Sequence, residues 1–387
     1  MPSKAKSRAL RFTHLSLENW RNFSKVDADL QARAFIIGPN ASGKSNLLDV
    51  FRFLHDLVAV GGGFQQAVRT RGGVSSLRCL AARRYPDISI TVRIGDGDPD
   101  THWVYGLRFK QDNQRRPQVS QEIVRIGGQT LLDRPTKDDV ADPDRLSQTF
   151  LEQVNVNRDY RGIADFFRLV SYRHIVPQLV REPDRSVGRS NDPFGGDFLE
   201  QIAGTNERTQ QARLRRISEA IKVAVPQLQD LELYRDDRGT PHLRGRYNHW
   251  RPRGAWQSED RLSDGTLRLL GLLWAVLDGS GPLLLEEPEL SLHQEVVRLL
   301  PQVFAGAQRR NGRQMLISTH SQDLLMDEGI GLDEVFYLRP GDSGTEVMSA
   351  SEIPEAGVLL ESGQPLSEVV MARSRPEGLS QLALFPD

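Results

Sequence analysis

"FIIGPNASGKSNLLDV", residues 35–50, runs from an apolar stretch into glycines, a lysine and serines and then turns apolar again. Gly38, Gly43, Lys44 and Ser45 fit the spacing G-x-x-x-x-G-K-[ST], the loop that cradles a phosphate chain. The flanks suit such a loop: Ala34 to Ile37 read as a strand, and Leu47, Phe51, Leu54 and Val58 recur behind it at helical spacing. Glycines let successive backbone N–H groups turn inward as an anion nest, and the helix N-terminus adds the positive end of its dipole. Lys44 is expected to reach the β- and γ-phosphates and the Ser45 hydroxyl to hold Mg²⁺. The loop therefore predicts an ATP site built on Gly38, Asn40, Gly43, Lys44 and Ser45.

Composition narrows the setting. A chain of 387 residues forms one large domain or two ordinary ones, and 38% hydrophobic with 26% charged residues is the balance of a soluble globular protein. The net charge of −1 leaves any nucleic-acid surface to local patches. One cysteine, Cys79, excludes an internal disulfide framework and fits a reducing cytosol. "MPSKAKSRALRF" is a basic arm without the apolar core of a signal peptide. The most apolar run, "LLGLLWAVL" at 269–277, is stopped by Asp278 and Gly279. It is far shorter than the roughly 20 residues of a membrane span. A buried helix and a cytoplasmic protein with no membrane partner are expected.

Along the chain, residues 12–58 read strand, strand, P-loop, helix, followed by a glycine-rich surface loop, "AVGGGFQQAVRTRGG". "DISITVRIG" and "THWVYGLRFKQ" alternate as two antiparallel strands, and "VSQEIVRIGGQTLL" reads as a strand pair turning at Gly127-Gly128. Helical patterns recur at 146–153, 162–170 and 206–223, and apolar runs at 282–286, 314–319 and 334–338 predict a parallel sheet. Four segments are expected. They are an N-terminal lobe (1–135), an insertion subdomain (136–255), a C-terminal lobe (256–345) and a partly mobile polar tail (346–387).

Three further stretches supply candidate chemistry. "PLLLEEPELSLH" (282–293) is an apolar strand ending in two carboxylates. Glu286 would hold Mg²⁺ through its water shell, and Glu287 would orient or deprotonate the attacking water. Adjacent strand residues point to opposite faces, so both can serve one site only if the strand ends and bends there, and Pro288 supplies that end. "RLSDGTLRLLGLLWAVL" (261–277) opens a helix at Ser263, Asp264 and Gly265, with Ser263 as N-cap and Gly265 allowing a phosphate close to the backbone. "QMLISTHSQDLL" is a strand ending at Ser318, Thr319 and His320, where His320 can contact the γ-phosphate and sense hydrolysis.

P-loop, "LSDG", "LLLEEPE" and "STH", in that order, resemble an ABC-type ATPase of the SMC/RecF-like branch, in the group of small bacterial AAA family ATPases. The resemblance covers 12–58 and 256–338, about a third of the chain. "GPNASGKSNLL", with Asn46 after the serine, has the form typical of that branch, and "LENWRNF" resembles the strand and turn that place Arg21 and Asn22 near the nucleotide. The resemblance implies an α/β fold, a P-loop ABC-type ATPase head with a mostly parallel sheet, an antiparallel β subdomain and a mixed helical insertion. It also implies a homodimer sandwiching two ATP molecules, the P-loop of one head facing Ser263, Asp264 and Gly265 of the other. Glu286 stands where many relatives carry Asp, the signature reads "LSDGT" rather than "LSGGQ", and Gln65, Gln66 and Gln121 are the candidates for the glutamine loop.

The resemblance implies a DNA-associated ATPase in genome maintenance or anti-phage defence, licensing a separate effector such as a nuclease. The alternatives are an ABC transporter subunit, against which the missing membrane segment and the long middle insertion argue, and a protein-sensing ATPase that binds no DNA. The head of overcoming-lysogenization-defect nucleases is similar. The roughly 50 residues after "EVFYL", however, lack the Asp-x-Asp pair of their TOPRIM nuclease. "PHLRGRYNHWRPRGAW" interleaves Arg244, Arg246, Arg251 and Arg253 with Tyr247, His249, Trp250 and Trp256 and holds no acid. It reads either as a phosphate- and base-binding surface or as an exposed hairpin face. "RLRR" at 213–216 is a second basic stretch. Gln381, Leu382, Leu384 and Phe385 resemble the peptide by which bacterial proteins dock on the replication sliding clamp, unless they fold back onto the head.

Overall fold

In the computed structural model, which describes residues 9–81, 87–96, 102–183, 192–248, 255–354 and 356–371, the chain builds three sheets. β3 (Arg33–Ile37), β12 (Leu283–Glu286) and β13 (Met315–Ser318) are near-continuous apolar runs, the pattern of strands covered on both faces. They lie in the order β15 (Glu346–Ser349), β14 (Val335–Arg339), β3, β13, β12, β8 (Ser171–Arg173). All neighbours are parallel except β14 with β15. The apolar runs expected to form a parallel sheet are therefore β12, β13 and β14.

A second sheet is antiparallel. β1 (Arg11–Trp20) and β2 (Phe23–Asp29) form a hairpin, and β1 continues through β4 (Ile88–Gly95), β5 (Trp103–Gln111), β6 (Pro117–Ile126) and β7 (Gln129–Arg134). Residues 12–58 thus hold three strands rather than two. The extra one exists because Arg21 takes a left-handed φ of 53°, which turns the chain back at Arg21-Asn22. α1 (Lys44–Val58) lies between this sheet and the central one. Its Leu47, Phe51 and Leu54 share a core with Phe12 and Leu15 of β1 and with Leu284 and Leu316 of the parallel strands.

The stretch expected as a glycine-rich loop carries two short helices, α2 (Phe64–Arg69) and α3 (Val74–Leu77). Its glycines punctuate rather than loosen it: Gly63 and Gly73 precede the two helices, and Phe64, Val68, Val74 and Leu77 are buried. α4 (Lys137–Ala141) follows, capped by Thr136. The helix expected at 146–153 does not form. The backbone N–H groups of Phe150 and Leu151 donate instead to the Glu122 carboxylate, at 2.7 and 3.0 Å. Glu122 and Arg134 are both fully buried and paired at 3.2 Å, and Arg134 also meets Asp139 at 2.8 Å.

The segment 136–255 divides between two cores rather than standing as one insertion. α5 (Arg161–Arg168) packs Ile163, Phe166 and Phe167 into the core around α1, and β8 joins the central sheet. α6 (Pro177–Val180), α7 (Phe198–Ala203) and α8 (Glu207–Ala224) pack instead with the third sheet, β11 (Ala255–Ser258), β10 (Pro241–Tyr247) and β9 (Leu228–Arg235). α9 (Asp264–Leu277) is buried on nearly all sides. Leu272, Ala275 and Val276 face the central sheet, and Leu267, Leu270 and Trp274 face α8 and its sheet. α10 (Gln294–Asn311) covers the same side of the central sheet.

Part of the tail segment, expected to be partly mobile, is core. β15 extends the central sheet, and α11 (Ala356–Glu361) and α12 (Leu366–Met371) bury Ala356, Leu366, Val369 and Val370 beside α10. Gln381, Leu382, Leu384 and Phe385 lie outside the described residues. Among the described residues no helix is long and apolar enough to cross a membrane.

Removing one partner of a buried pair leaves a buried charge without compensation, so Glu122→Ala should lower unfolding free energy by about 3–5 kcal/mol in a denaturant titration. A loss of under about 1 kcal/mol, the scale of a surface pair, would contradict this anchoring role.

Candidate active site

The P-loop joins β3 to α1 as the sequence predicts. Gly43 is the N-cap of α1 with φ 98° and no side-chain cap, so the first-turn N–H groups of the helix are open to a ligand. A Cβ on Gly43 would lie 2.2 Å from the amide nitrogen of Asn22. That asparagine braces the loop: it donates to Ser42 O and to Thr345 Oγ1, both at 2.7 Å, and accepts from Asn46 Nδ2 at 2.8 Å. Arg21 turns instead toward α1 and meets Asp49 at 3.3 Å. Asn40 is exposed in the loop. Lys44 is buried and its Nζ donates to the carbonyls of Gly38 and Pro39, at 3.1 and 3.2 Å. Burial lowers the Lys44 pKa, while Glu287, Glu286 and Glu289 pull it back up.

The acidic strand end bends, as the sequence reading requires if both carboxylates are to serve one site. Glu287 has a φ of 43° and its N–H donates to Ser318 O at 3.0 Å, tying the end of β12 to the end of β13. The two carboxylates then part. Glu286 Oε1 accepts from the Ser45 hydroxyl at 2.5 Å, and Glu286 Oε2 accepts from the Tyr172 hydroxyl. Glu287 Oε1 lies 3.1 Å from His320 Nε2. Burial raises the pKa of Glu286; the same effect lowers that of His320, with Lys44 adding to it.

Three residues at this site are not singled out in the sequence reading. Glu289 is buried, and its Oε1 accepts from Thr319 Oγ1 at 2.6 Å and from the His320 N–H at 3.0 Å, so it fixes the loop bearing His320. Only its nearness to the pair in "EEPE" hinted at a role. Tyr172 and the His174 ring, whose Nδ1 lies 3.2 Å from the Glu286 carbonyl oxygen, come from β8 and the turn after it, more than 100 residues upstream.

Among the described residues no group of three or more His, Cys, Asp or Glu gathers as a metal cluster. Mg²⁺ does not need one, because it keeps waters and binds through one or two carboxylates plus the phosphates of its substrate. The convergence of Ser45 Oγ and Glu286 Oε1 is a hard-oxygen pair that fits it. Nearby, Ser42 Oγ, Ser318 Oγ and Glu289 Oε2 are buried without a hydrogen-bond partner. A buried unpaired polar atom is costly in isolation, and a phosphate chain with its waters would satisfy such groups.

Ser263 caps α9 by accepting from the Thr266 N–H at 3.2 Å. Asp264 pairs with Arg181 at 2.6 Å, and Arg181 also donates to Leu262 O at 2.7 Å. Gly265 has a packing reason of its own: a Cβ there would sit 2.4 Å from Ser291 O, in the loop after β12. No hydrogen bond or ion pair among the described residues joins Ser263, Asp264 or Gly265 to the P-loop. Lys44, Ser45, Glu286, Glu287 and His320 form one cluster; the α9 terminus is a second, separate one.

Of the glutamine-loop candidates, Gln65 commits its amide to Pro117 O and Ser147 O, Gln66 is exposed on α2, and Gln121 sits opposite Arg108 in the antiparallel sheet. The basic stretch holds no acid of its own but meets acids from β9. Arg244 pairs with Glu232 at 2.8 Å and Arg246 with Asp230 at 3.7 Å, while Arg244 lies between the rings of Tyr234 and Trp256. Arg251, Arg253, His249 and Trp250 lie outside the described residues. In "RLRR", Arg213 is taken by Asp278, and Arg215 and Arg216 are exposed.

The family described as "AAA domain, putative AbiEii toxin, Type IV TA system" matches residues 33–327. No curated protein matches the chain. Among solved structures, the fold is similar to that of an Smc head bound to the C-winged helix domain of ScpA, at 14% identity and a TM-score of 0.53, covering 87% of this chain and 97% of that one. It is also similar to the Pyrococcus furiosus Smc head with an extended coiled coil bound to the C-terminal domain of ScpA. There the identity is 12% and the TM-score 0.52, with 92% of this chain and 100% of that one covered. The Pyrococcus yayanosii Smc head with a coiled coil and joint gives 10% identity and a TM-score of 0.51 over the same shares. At these identities the likeness shows the fold alone, the α/β fold of an Smc head, in agreement with the expected fold class.

Gly43→Ala combines a left-handed φ with a clash on Asn22. It should lower stability by about 1–3 kcal/mol, read as a fall in melting temperature, and abolish ATP binding in calorimetry. A variant that binds ATP like the wild type would show that Asn22 does not set the loop.

Proposed function

The chain belongs to the AAA-domain family that matches residues 33–327, and we propose that it is an ATPase whose two copies close on two ATP molecules and open on hydrolysis. The observation that carries this reading is the parting of the two adjacent glutamates, Glu286 toward Ser45 and Glu287 toward His320. The metal-holding group and the water-activating group are thereby separate while sharing one strand end.

Each residue has a defined task. Lys44 exchanges the carbonyls of Gly38 and Pro39 for phosphate oxygens, and the open N–H groups of the Gly38–Ser45 loop and of α1, with Asn46 and Asn22 behind them, hold the rest of the chain of phosphates. Ser45 and Glu286 would hold Mg²⁺, which when bound neutralises charge developing on the β- and γ-oxygens. Glu287 orients a water and takes its proton, with His320 beside it close to the γ-phosphate and Glu289 fixing the loop from below. Ser263, Asp264 and Gly265 would face the ATP of the second copy, and Arg181 offsets the negative charge of Asp264 there.

The wider job proposed is action on DNA, or licensing of a separately encoded effector, in genome maintenance or anti-phage defence. Two of the similar Smc heads are seen bound to domains of another protein, ScpA, which supports a head that works with a protein partner. The pairing of Arg244 and Arg246 with acids moves weight from the β9–β11 face toward a protein partner.

Lys44→Ala should remove ATP binding in calorimetry. Glu287→Gln should retain it and lose roughly 10²–10⁴-fold in turnover, since proton transfer contributes about that much. Light scattering should then find a stable ATP-dependent dimer of Glu287→Gln. Wild-type turnover in that variant would contradict the assignment. Ser263→Arg should bind ATP and remain monomeric.

A further inference from the structure

Glu286 is held on both oxygens, and the second holder comes from an unexpected strand. β8 lies at the edge of the central sheet, in parallel register with β12, Tyr172 opposite Leu284. From there the Tyr172 hydroxyl donates to Glu286 Oε2, while Ser45 occupies Oε1. We propose that Tyr172 is a positioning residue for Mg²⁺: it locks the Glu286 carboxylate so that the face toward Ser45 is presented to the metal. The proposal rests on the ATPase reading and names the residue that makes its metal site rigid.

The physical need is clear. A glutamate side chain has three torsions, and holding its carboxylate in one orientation costs rotamer entropy. A single contact from Ser45 leaves rotation about the last bond free, and the Tyr172 hydroxyl removes it. Both contacts are neutral hydroxyls, so the carboxylate is oriented by hydrogen bonds rather than by a direct ion pair.

Tyr172 is itself immobilised. Arg52 lies over its ring at 5.4 Å from the centroid, and Arg52 follows Ser45 by two turns on the same face of α1. The β8 backbone is tied down beside it, with Ser171 N donating to Pro282 O at 2.9 Å and Arg313 Nη2 to Ser171 Oγ at 2.7 Å. Arg173 donates to the Tyr172 carbonyl oxygen at 3.1 Å. The P-loop helix and the edge strand thus grip the metal's carboxylate from two sides.

The test compares ATP affinity of the wild type and Tyr172→Phe in EDTA and across a Mg²⁺ titration. The phenyl ring keeps its place under Arg52, and a matching melting temperature verifies the fold. Both proteins should bind ATP equally in EDTA, and Tyr172→Phe should need roughly 10–100-fold more Mg²⁺ to reach half of the metal-dependent gain in affinity. In a Glu286→Gln background the same substitution should add no further shift. Equal Mg²⁺ requirements in two proteins that bind ATP would overturn this proposal alone. A wild type whose nucleotide affinity ignores Mg²⁺ would overturn the ATPase reading with it.

Discussion

The hydrogen bond from the Glu287 N–H to Ser318 O fixes the end of β12 against the end of β13 while Glu287 holds a left-handed φ. A regular strand would send Glu286 and Glu287 to opposite faces of the sheet. The bend sends one carboxylate to the P-loop serine and the other to the histidine on the neighbouring strand end. The strain of a non-glycine residue at positive φ, about 1–3 kcal/mol, is held in place by the sheet beneath it. That sheet is buried on both faces, so the strand ends form a fixed platform.

The strand order gives the platform its content. β3, β13 and β12 are neighbours, so the P-loop, the His320 loop and the acidic pair leave the sheet side by side. Beneath them α1 fills one face and α9 with α10 the other. α9 begins at Ser263, the terminus proposed to face the second copy's ATP, and is packed in two cores at once, which seats that terminus on the same body as the acidic strand. Gly265 against Ser291 O is the tight point of this packing.

How much of this the sequence revealed depended on distance along the chain. The P-loop was legible because its glycines, lysine and serine act within eight residues, and the parallel strands because burial on both faces leaves unbroken apolar runs. Asn22 and Asn46 entered only through family resemblance, and the structure gives them a bracing role. Tyr172 was not legible, since its contact with Glu286 spans 114 residues and a lone tyrosine on a three-residue strand has no pattern. The failed helix at 146–153 had the right period, but Glu122, on a distant strand, took the backbone donors that a helix needs. Arg244 and Arg246 read as free cations until β9 brought Glu232 and Asp230 alongside. In each case the deciding contact was a non-local polar partner.

The account's central claim is that one copy of the chain supplies the P-loop, Glu286 and Glu287 while another supplies Ser263 to Gly265. A structure of the ATP-bound protein tests it most directly. The expected result is a symmetric pair with each γ-phosphate between Lys44 of one copy and the α9 terminus of the other. A γ-phosphate contacted by residues of a single copy, with the α9 terminus facing solvent, would contradict it.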